Sequence, residues 1–293
     1  ECAFCEVQSA QALCEALQRA GFDVQRNPDG MQTAFVARYG TAEPVIAVLG
    51  EYDALSGLSQ QGGVAHQAPI AGQEAGHGCG HNILGAGALG AALVAKAYIE
   101  QTGRGSVVYM GCPAEEQGTG KPRLVRAGAF NGVSAALTWH PSTCNFVRSG
   151  TTCASVEGVY AFTGAASHAA VAPQDGRSAL DALELMHVGI NFLREHMVEG
   201  ARIHYAILDA GGTAPNVVPA HASGVYTVRA PEFAQARALF QRVDEIARGA
   251  ALMTQTRVAH HNVNGGYNVI PNNALERVLY QNFASTPLPV YTE

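Results

Sequence analysis

The order of strand-like and helix-like segments constrains this chain most, and it changes once, near residue 153. Before that point, apolar runs at 33–38, 45–49, 106–111 and 134–139 read as strands. They alternate with helical patterns at 8–21, 83–100 and 121–128, and Gly21 stops the first helix. Such alternation predicts a mostly parallel sheet covered on both faces. The helix at 83–100 is rich in Ala, Leu and Gly and carries little charge, so much of its surface is expected to be buried. A Gly- and Gln-rich loop covers 56–80.

After residue 153 the order becomes strand 154–163, helix 177–197, strands 202–208 and 222–229, helix 233–252 and strand 255–261. This β-α-β-β-α-β order predicts a ferredoxin-like unit. Ser178 is a candidate N-cap, with Asp181 three residues on. Past 268 the chain is expected to return to the first domain, Asn272-Asn273-Ala274 opening a last helix to about 284. The expected fold is therefore α/β. A doubly wound, mostly parallel sheet (1–153, resumed at 269–293) carries an inserted ferredoxin-like domain (154–268).

Composition narrows the function. The 293 residues suit two domains, and 47% hydrophobic residues can fill their cores. Only 14% are charged, which hints at surface covered by another chain. A net charge of −6 with no basic stripe excludes nucleic acid as an expected partner. No apolar run reaches the ~18–20 residues of a membrane helix. Seven scattered cysteines argue against a disulfide framework and point to the reducing cytoplasm. Cys2 and Cys5 form a C-x-x-C, but no second pair follows. The opening Glu1-Cys2-Ala3-Phe4 has neither a signal-peptide pattern nor Met, so the chain is expected to begin inside a longer one.

Three segments carry chemistry: Gly76-His77-Gly78-Cys79-Gly80-His81-Asn82, Cys112-Pro113-Ala114-Glu115-Glu116 and Thr138-Trp139-His140-Pro141. Each follows a strand or precedes a helix, and ligands bind at the carboxyl ends of strands in open α/β sheets. A thiolate, two imidazoles and a carboxylate (Cys79, His81, His140, Glu116) suit borderline divalent ions such as zinc or manganese. In the adjacent pair Glu115-Glu116, one carboxylate can bind metal while its neighbour faces a bound water as general base. Alone, each segment has an ordinary reading: a structural histidine, a solvated acidic corner, a small buried cysteine. It is their convergence at successive strand ends that carries the functional reading.

With Gly50-Glu51-Tyr52-Asp53-Ala54-Leu55 and the stretches Ser167-His168-Ala169-Ala170, Gly176-Arg177-Ser178 and Pro215-Asn216-Val217-Val218, these segments resemble a known family. It is the amidohydrolase branch of the aminoacylase and glutamate-carboxypeptidase metallopeptidases. The resemblance implies two divalent metal ions, manganese or zinc, held by Cys79, His81, Glu116 and His140, with Glu115 as base. It implies that the ferredoxin-like unit is a lid and dimerisation domain. In it His168 would stabilise the oxyanion and Asn216 and Arg229 would hold a substrate carboxylate. The implied substrate is a small amide next to a carboxylate-bearing amino acid, its acyl group p-aminobenzoyl, another aromatic acyl or β-alanyl. The implied assembly is a homodimer or hetero-oligomer through the lid.

The sequence departs from the family pattern at three places. Glu51 stands where many relatives carry a metal-binding His, which makes Asp53 a supporting residue. The family's C-terminal stretch with its last His ligand is not reached, and His260 and His261 read as surface residues. About the first helix of the family is absent before Glu1. Two other readings compete: a cysteine hydrolase using Cys79 or Cys112, and a catalytically incomplete chain that serves as a partner in a larger assembly.

Overall fold

The computed structural model describes residues 1–287, so the end of the expected returning segment, 288–293, lies outside the described residues. The chain divides into two compact units, Glu1–Asn145 and Phe146–Glu293.

In unit 1 the elements are α1 (Val7–Arg19), β1 (Asp23–Arg26), β2 (Phe35–Tyr39), β3 (Val45–Glu51), α2 (His81–Thr102), β4 (Ser106–Cys112), α3 (Gly120–Arg126) and β5 (Ala135–Leu137). The sheet order is β1-β2-β4-β3-β5. Strands β4, β3 and β5 run parallel, while β2 is antiparallel to both β4 and β1. Side chains alternate along β4 and so divide the core in two. Val107 and Tyr109 join Phe35, Ala37 and Val48 under α1 and α2. Val108, Met110 and Cys112 join Val36, Ala47 and Leu49 under Leu124 of α3. Helices on both faces fulfil the α/β expectation. The antiparallel strand β1 has no sequence signal, because it is short and mostly exposed.

Helix α2 departs from its expectation. It buries His81, Leu84, Gly85, Ala88 and Ala92 along one stripe only. Ile83, Val94 and Tyr98 on the other side are 57%, 72% and 57% exposed, because the elements of unit 1 that pack most on this helix, the sheet and α1, meet its other face. By length and composition alone, α2 is the one helix among the described residues that could cross a membrane. Its buried stripe is that of a core helix.

Close approach sets the seat of α2. A Cβ on Gly85 would lie 2.7 Å from the Glu51 carbonyl oxygen, and Tyr109 Oη donates to Gly85 O at 3.1 Å. A Cβ on Gly90 of the same helix would meet nothing within 4 Å. Gly85→Ala is therefore expected to destabilise by about 1–3 kcal/mol through overpacking. Gly90→Ala is expected to stabilise by up to about 1 kcal/mol through helix propensity. Urea unfolding of the two variants tests the seat, and a Gly85→Ala protein as stable as Gly90→Ala would refute it.

In unit 2 the order is β6 (Ala154–Thr163), α4 (Ala179–Leu193), β7 (Arg202–Asp209), β8 (His221–Ala230), α5 (Phe233–Thr254), β9 (Arg257–Gly266) and α6 (Asn273–Ser285). The antiparallel sheet has the order β7-β8-β6-β9, the ferredoxin-like arrangement. Alternate residues Val156, Tyr160 and Phe162 of β6 and Ala222, Tyr226 and Val228 of β8 pack on Leu183, Met186 and Ile190 of α4 and Leu239 and Val243 of α5. Ser178 caps α4 as expected, accepting from Asp181 N at 3.0 Å. The two ends of the unit meet: Thr151 Oγ1 donates to Val269 O at 2.6 Å, and Val269 N donates to Thr152 Oγ1 at 3.2 Å. Adjacent ends are what an inserted domain requires. His260 and His261 are both exposed, as expected, and His260 also stacks on Tyr160 with ring centroids 5.3 Å apart.

Candidate metal centre

The three parallel strands of unit 1 end at Glu51, Cys112 and Leu137, and the three chemical segments follow or face those ends. Gly80, with φ +82°, takes the left-handed conformation that starts α2 and puts Cys79 and His81 on either side of the turn. His140 lies beyond β5 and is fixed by its neighbours. Trp139 Nε1 donates to Leu84 O at 3.2 Å, and its ring covers Gly87. Pro141 packs on Gly80.

These turns bring together residues distant in sequence. Cys79 Sγ lies 3.2 Å from His140 Nε2, and the His81 and His140 ring centroids are 5.5 Å apart. One donor atom each from Cys79, His81 and His140 falls within a 4.8 Å span, and so does one each from Glu51, His81 and Glu115. Glu116 is in neither set. Its carboxylate acts on the Cys79 thiol, and its Oε1 lies 3.9 Å from His81 Nδ1.

Hydrogen bonds settle which imidazole nitrogens are available. His140 Nδ1 lies 2.8 Å from the Pro141 carbonyl, which can only accept, so Nδ1 carries the proton and Nε2 offers its lone pair on the Cys79 side. His81 Nδ1 lies 2.8 Å from Asp53 Oδ1, with the same consequence. Asp53 also accepts from Glu116 N at 3.0 Å through Oδ2. It thus orients two site residues, the part a supporting carboxylate plays behind a histidine ligand.

The residues fit a cation. His81 Nε2, Glu51 Oε2 and Glu116 Oε1 are buried and have no hydrogen-bond partner among the described residues. Buried acceptors without donors are costly unless a positive group completes them. Burial pushes the Cys79 thiol up to about 11, with the Glu116, Glu115 and Glu51 carboxylates adding to the rise. The thiol is therefore protonated near neutrality, and a bound cation would displace that proton. Burial raises the Glu115 pKa too, and the Glu51 carboxylate adds to it. Cys112 is fully buried, its thiol pushed up to about 12 by burial, and its Sγ donates to Met110 O. Neither cysteine is primed as a thiolate nucleophile, which disfavours the cysteine-hydrolase reading.

Sequence reasoning gave two residues no part in the site: it named Glu51 only as standing where relatives carry a His, and it did not name Lys121. Glu51, 5% exposed, places Oε2 3.2 Å from His81 Nε2. Lys121, at the start of α3, pairs its Nζ with Glu51 Oε1. Burial would depress this ammonium, but Glu51 outweighs it and raises the Lys121 pKa. A charge at the end of an apolar strand run was the available signal for Glu51, and Lys121 had none.

The lid candidates lie in unit 2. Residues 164–178 follow β6, and 210–220 precede β8. His168 pairs with Val217 in an isolated antiparallel bridge, and Ala169 N donates to Asn216 O at 2.9 Å. His168 Nδ1 accepts from Ala170 N at 3.3 Å, which leaves Nε2–H pointing away from the backbone as a donor. Arg229 is exposed near the other end of β8, opposite Ser155, whereas His221 is opposite Thr163. At ~3.3 Å per strand residue, His221 and Arg229 are roughly 25 Å apart. One copy of the lid brings His168 and Asn216 together and leaves Arg229 away from both.

A two-unit α/β protein with thiol, imidazole and carboxylate groups gathered at its strand ends has the make-up of a metallopeptidase-like class, and part of the chain is similar to the M20 peptidase family. The family's peptidase dimerisation domain matches residues 150–255. One of the two related chains of the Escherichia coli p-aminobenzoyl-glutamate hydrolase is 49% identical over 282 residues, covering 96% of this chain and 59% of that protein. The chain thus spans about six-tenths of this relative's length. The aminobenzoyl-glutamate utilization protein of Klebsiella pneumoniae has a similar structure, with a TM-score of 0.77 at 22% identity, covering 98% of this chain and 78% of that one. A Bacillus subtilis dinuclear metal-binding peptidase of the M20 family matches with a TM-score of 0.69 at 21% identity, covering 97% and 75%.

Proposed function

We propose that the protein is a metal-dependent amidohydrolase. It cleaves the amide bond between an acyl or aminoacyl group, of which p-aminobenzoyl is the first candidate, and a carboxylate-bearing amino acid. The observation that carries this reading is the gathering of Cys79, His81 and His140 from separate segments, with Glu115 alongside and buried acceptors left without donors. The 49% identity to a chain of a p-aminobenzoyl-glutamate hydrolase and the structural likeness to a dinuclear metal-binding peptidase support the substrate class and the metals.

Two divalent ions, manganese or zinc, would be held by Cys79, His81, Glu116 and His140, and when bound they would acidify water and polarise the amide carbonyl. Asp53 and the Pro141 carbonyl keep the two imidazoles in the tautomer that presents Nε2. Glu115 Oε2, 3.7 Å from His81 Nε2, takes a proton from the attacking water and returns it to the leaving amine. Its raised pKa suits both halves of that shuttle. The Nε2–H of His168 would donate to the developing oxyanion, and Asn216 and Arg229 would grip the substrate carboxylate, the guanidinium by two parallel hydrogen bonds.

The lid pairs with another copy, or with a related chain, in this reading. A carboxylate reached by Asn216 and Arg229 together would lie between two lids, since one lid separates them. All seven cysteines are free, which supports a reducing cytoplasmic location. Residues 1–153 and 269–293 would form the catalytic domain and 154–268 the lid.

Metal removal gives the direct test. Dialysis against a strong chelator is expected to abolish hydrolysis of p-aminobenzoyl-glutamate, and manganese or zinc is expected to restore it. Full activity in protein shown by elemental analysis to be metal-free would end this reading.

A further inference from the structure

His81 has one nitrogen to give. Its Nδ1 is committed to Asp53, and Nε2 is buried without a hydrogen-bond partner among the described residues. Two sets of residues include His81, the thiol side with Cys79 and His140 and the carboxylate side with Glu51 and Glu115, and with Nδ1 committed both would draw on Nε2. An imidazole nitrogen offers a single lone pair. A cation drawn to the carboxylate side would make Glu115 a ligand and remove it as a base. Glu51 is placed to do the drawing, since its Oε2 is buried, has no hydrogen-bond donor among the described residues and lies 3.2 Å from His81 Nε2.

We propose that Lys121 decides this competition: by holding Glu51 in an ion pair it keeps that carboxylate from capturing the cation, so that the cation settles on the thiol side and Glu115 stays free to move protons. Three observations support it. Lys121 Nζ occupies Glu51 Oε1. The Glu51 carboxylate is 6% exposed, so water screens this pair little. The start of α3, which carries the lysine, is closely seated. A Cβ on Gly120 would fall 1.8 Å from the Pro113 carbonyl oxygen, so glycine lets α3 start against the turn that carries Glu115. Lys121 is on these terms a positioning residue, and its role rests on the metal-hydrolase reading above.

The test loads the protein with cobalt(II) alone and records thiolate-to-cobalt charge-transfer absorption alongside kcat and KM. Wild type is expected to show the thiolate band. Lys121→Met is expected to weaken the band as cobalt shifts towards the carboxylates, and to lower kcat about 100-fold with KM unchanged, the loss of a general base. Lys121→Arg should keep the band. Adding Glu51→Gln to Lys121→Met should restore the band and recover at least about tenfold in kcat, since the competing carboxylate is gone. Lys121→Gln, judged by the same readouts, replaces the methionine variant where the latter does not fold. An unchanged band and kcat in the lysine variant, or a double variant no better than the single, overturns the role of Lys121 alone. A wild-type protein without the thiolate band overturns the metal centre, and this inference with it.

Discussion

Glu115→Gln is expected to lower kcat by about 10²–10⁴-fold while metal content, fold and KM stay close to wild type. The amide keeps the shape of the side chain but cannot accept a proton from water. Glu115 also lies beside the donor atoms and is absent from the thiol-side set, so the cation should still bind. The same substitution at Glu116, whose buried Oε1 has no hydrogen-bond partner among the described residues, should act differently and reduce metal content first. Steady-state kinetics with metal analysis on both variants separates the two neighbouring carboxylates. Near-wild-type turnover in a metal-loaded Glu115→Gln protein would remove Glu115 as the base. Metal loss in that variant with retention in Glu116→Gln would exchange their roles.

His168→Ala and Arg229→Ala, each nearly inactive alone, are expected to restore one another when co-expressed. His168 and Asn216 sit at the Thr163–His221 end of the lid sheet and Arg229 near the other end. A substrate touched by all three must therefore lie between two copies in a two-fold pair. In a mixed pair, one site would receive an intact His168 from one copy and an intact Arg229 from the other, and the second site would carry both lesions. Random mixing should therefore recover about a quarter of wild-type activity, half of the pairs being mixed with one working site each. Asn216→Ala should behave as His168→Ala does and fail to complement it. Activity of the co-expressed variants no higher than the mean of the two alone would show that one copy supplies every contact, or that Arg229 has no part in binding.

Much of this was legible in the residues because the signals are local. Period-two alternation over 154–163 marks β6 to the residue, and Ser178 with Asp181 marks the start of α4. The order of strands and helices then restricts topology strongly, since parallel neighbours require crossovers and a β-α-β-β-α-β run closes on itself. Cys79, His81, Glu115 and His140 were visible because their residue types are rare together at strand ends. The pairing of Glu51 with Lys121 escaped because nothing near either residue in sequence announces the other. Arg229 was grouped with Asn216 by resemblance, and sequence spacing does not reveal that an extended strand separates them.

The residue pattern by itself marked most of the secondary structure, β1 excepted, the change in strand and helix order between the two units, and most of the side-chain types gathered at the site, Glu51 excepted, because each follows from short-range periodicity or from side-chain chemistry. Only the tertiary structure decided which nitrogen of His81 is free, that Lys121 holds Glu51, and that His168 and Arg229 lie at opposite ends of one sheet. Those are facts of distance and burial between residues far apart in the chain, and they exist only once the strands are paired and the turns are closed.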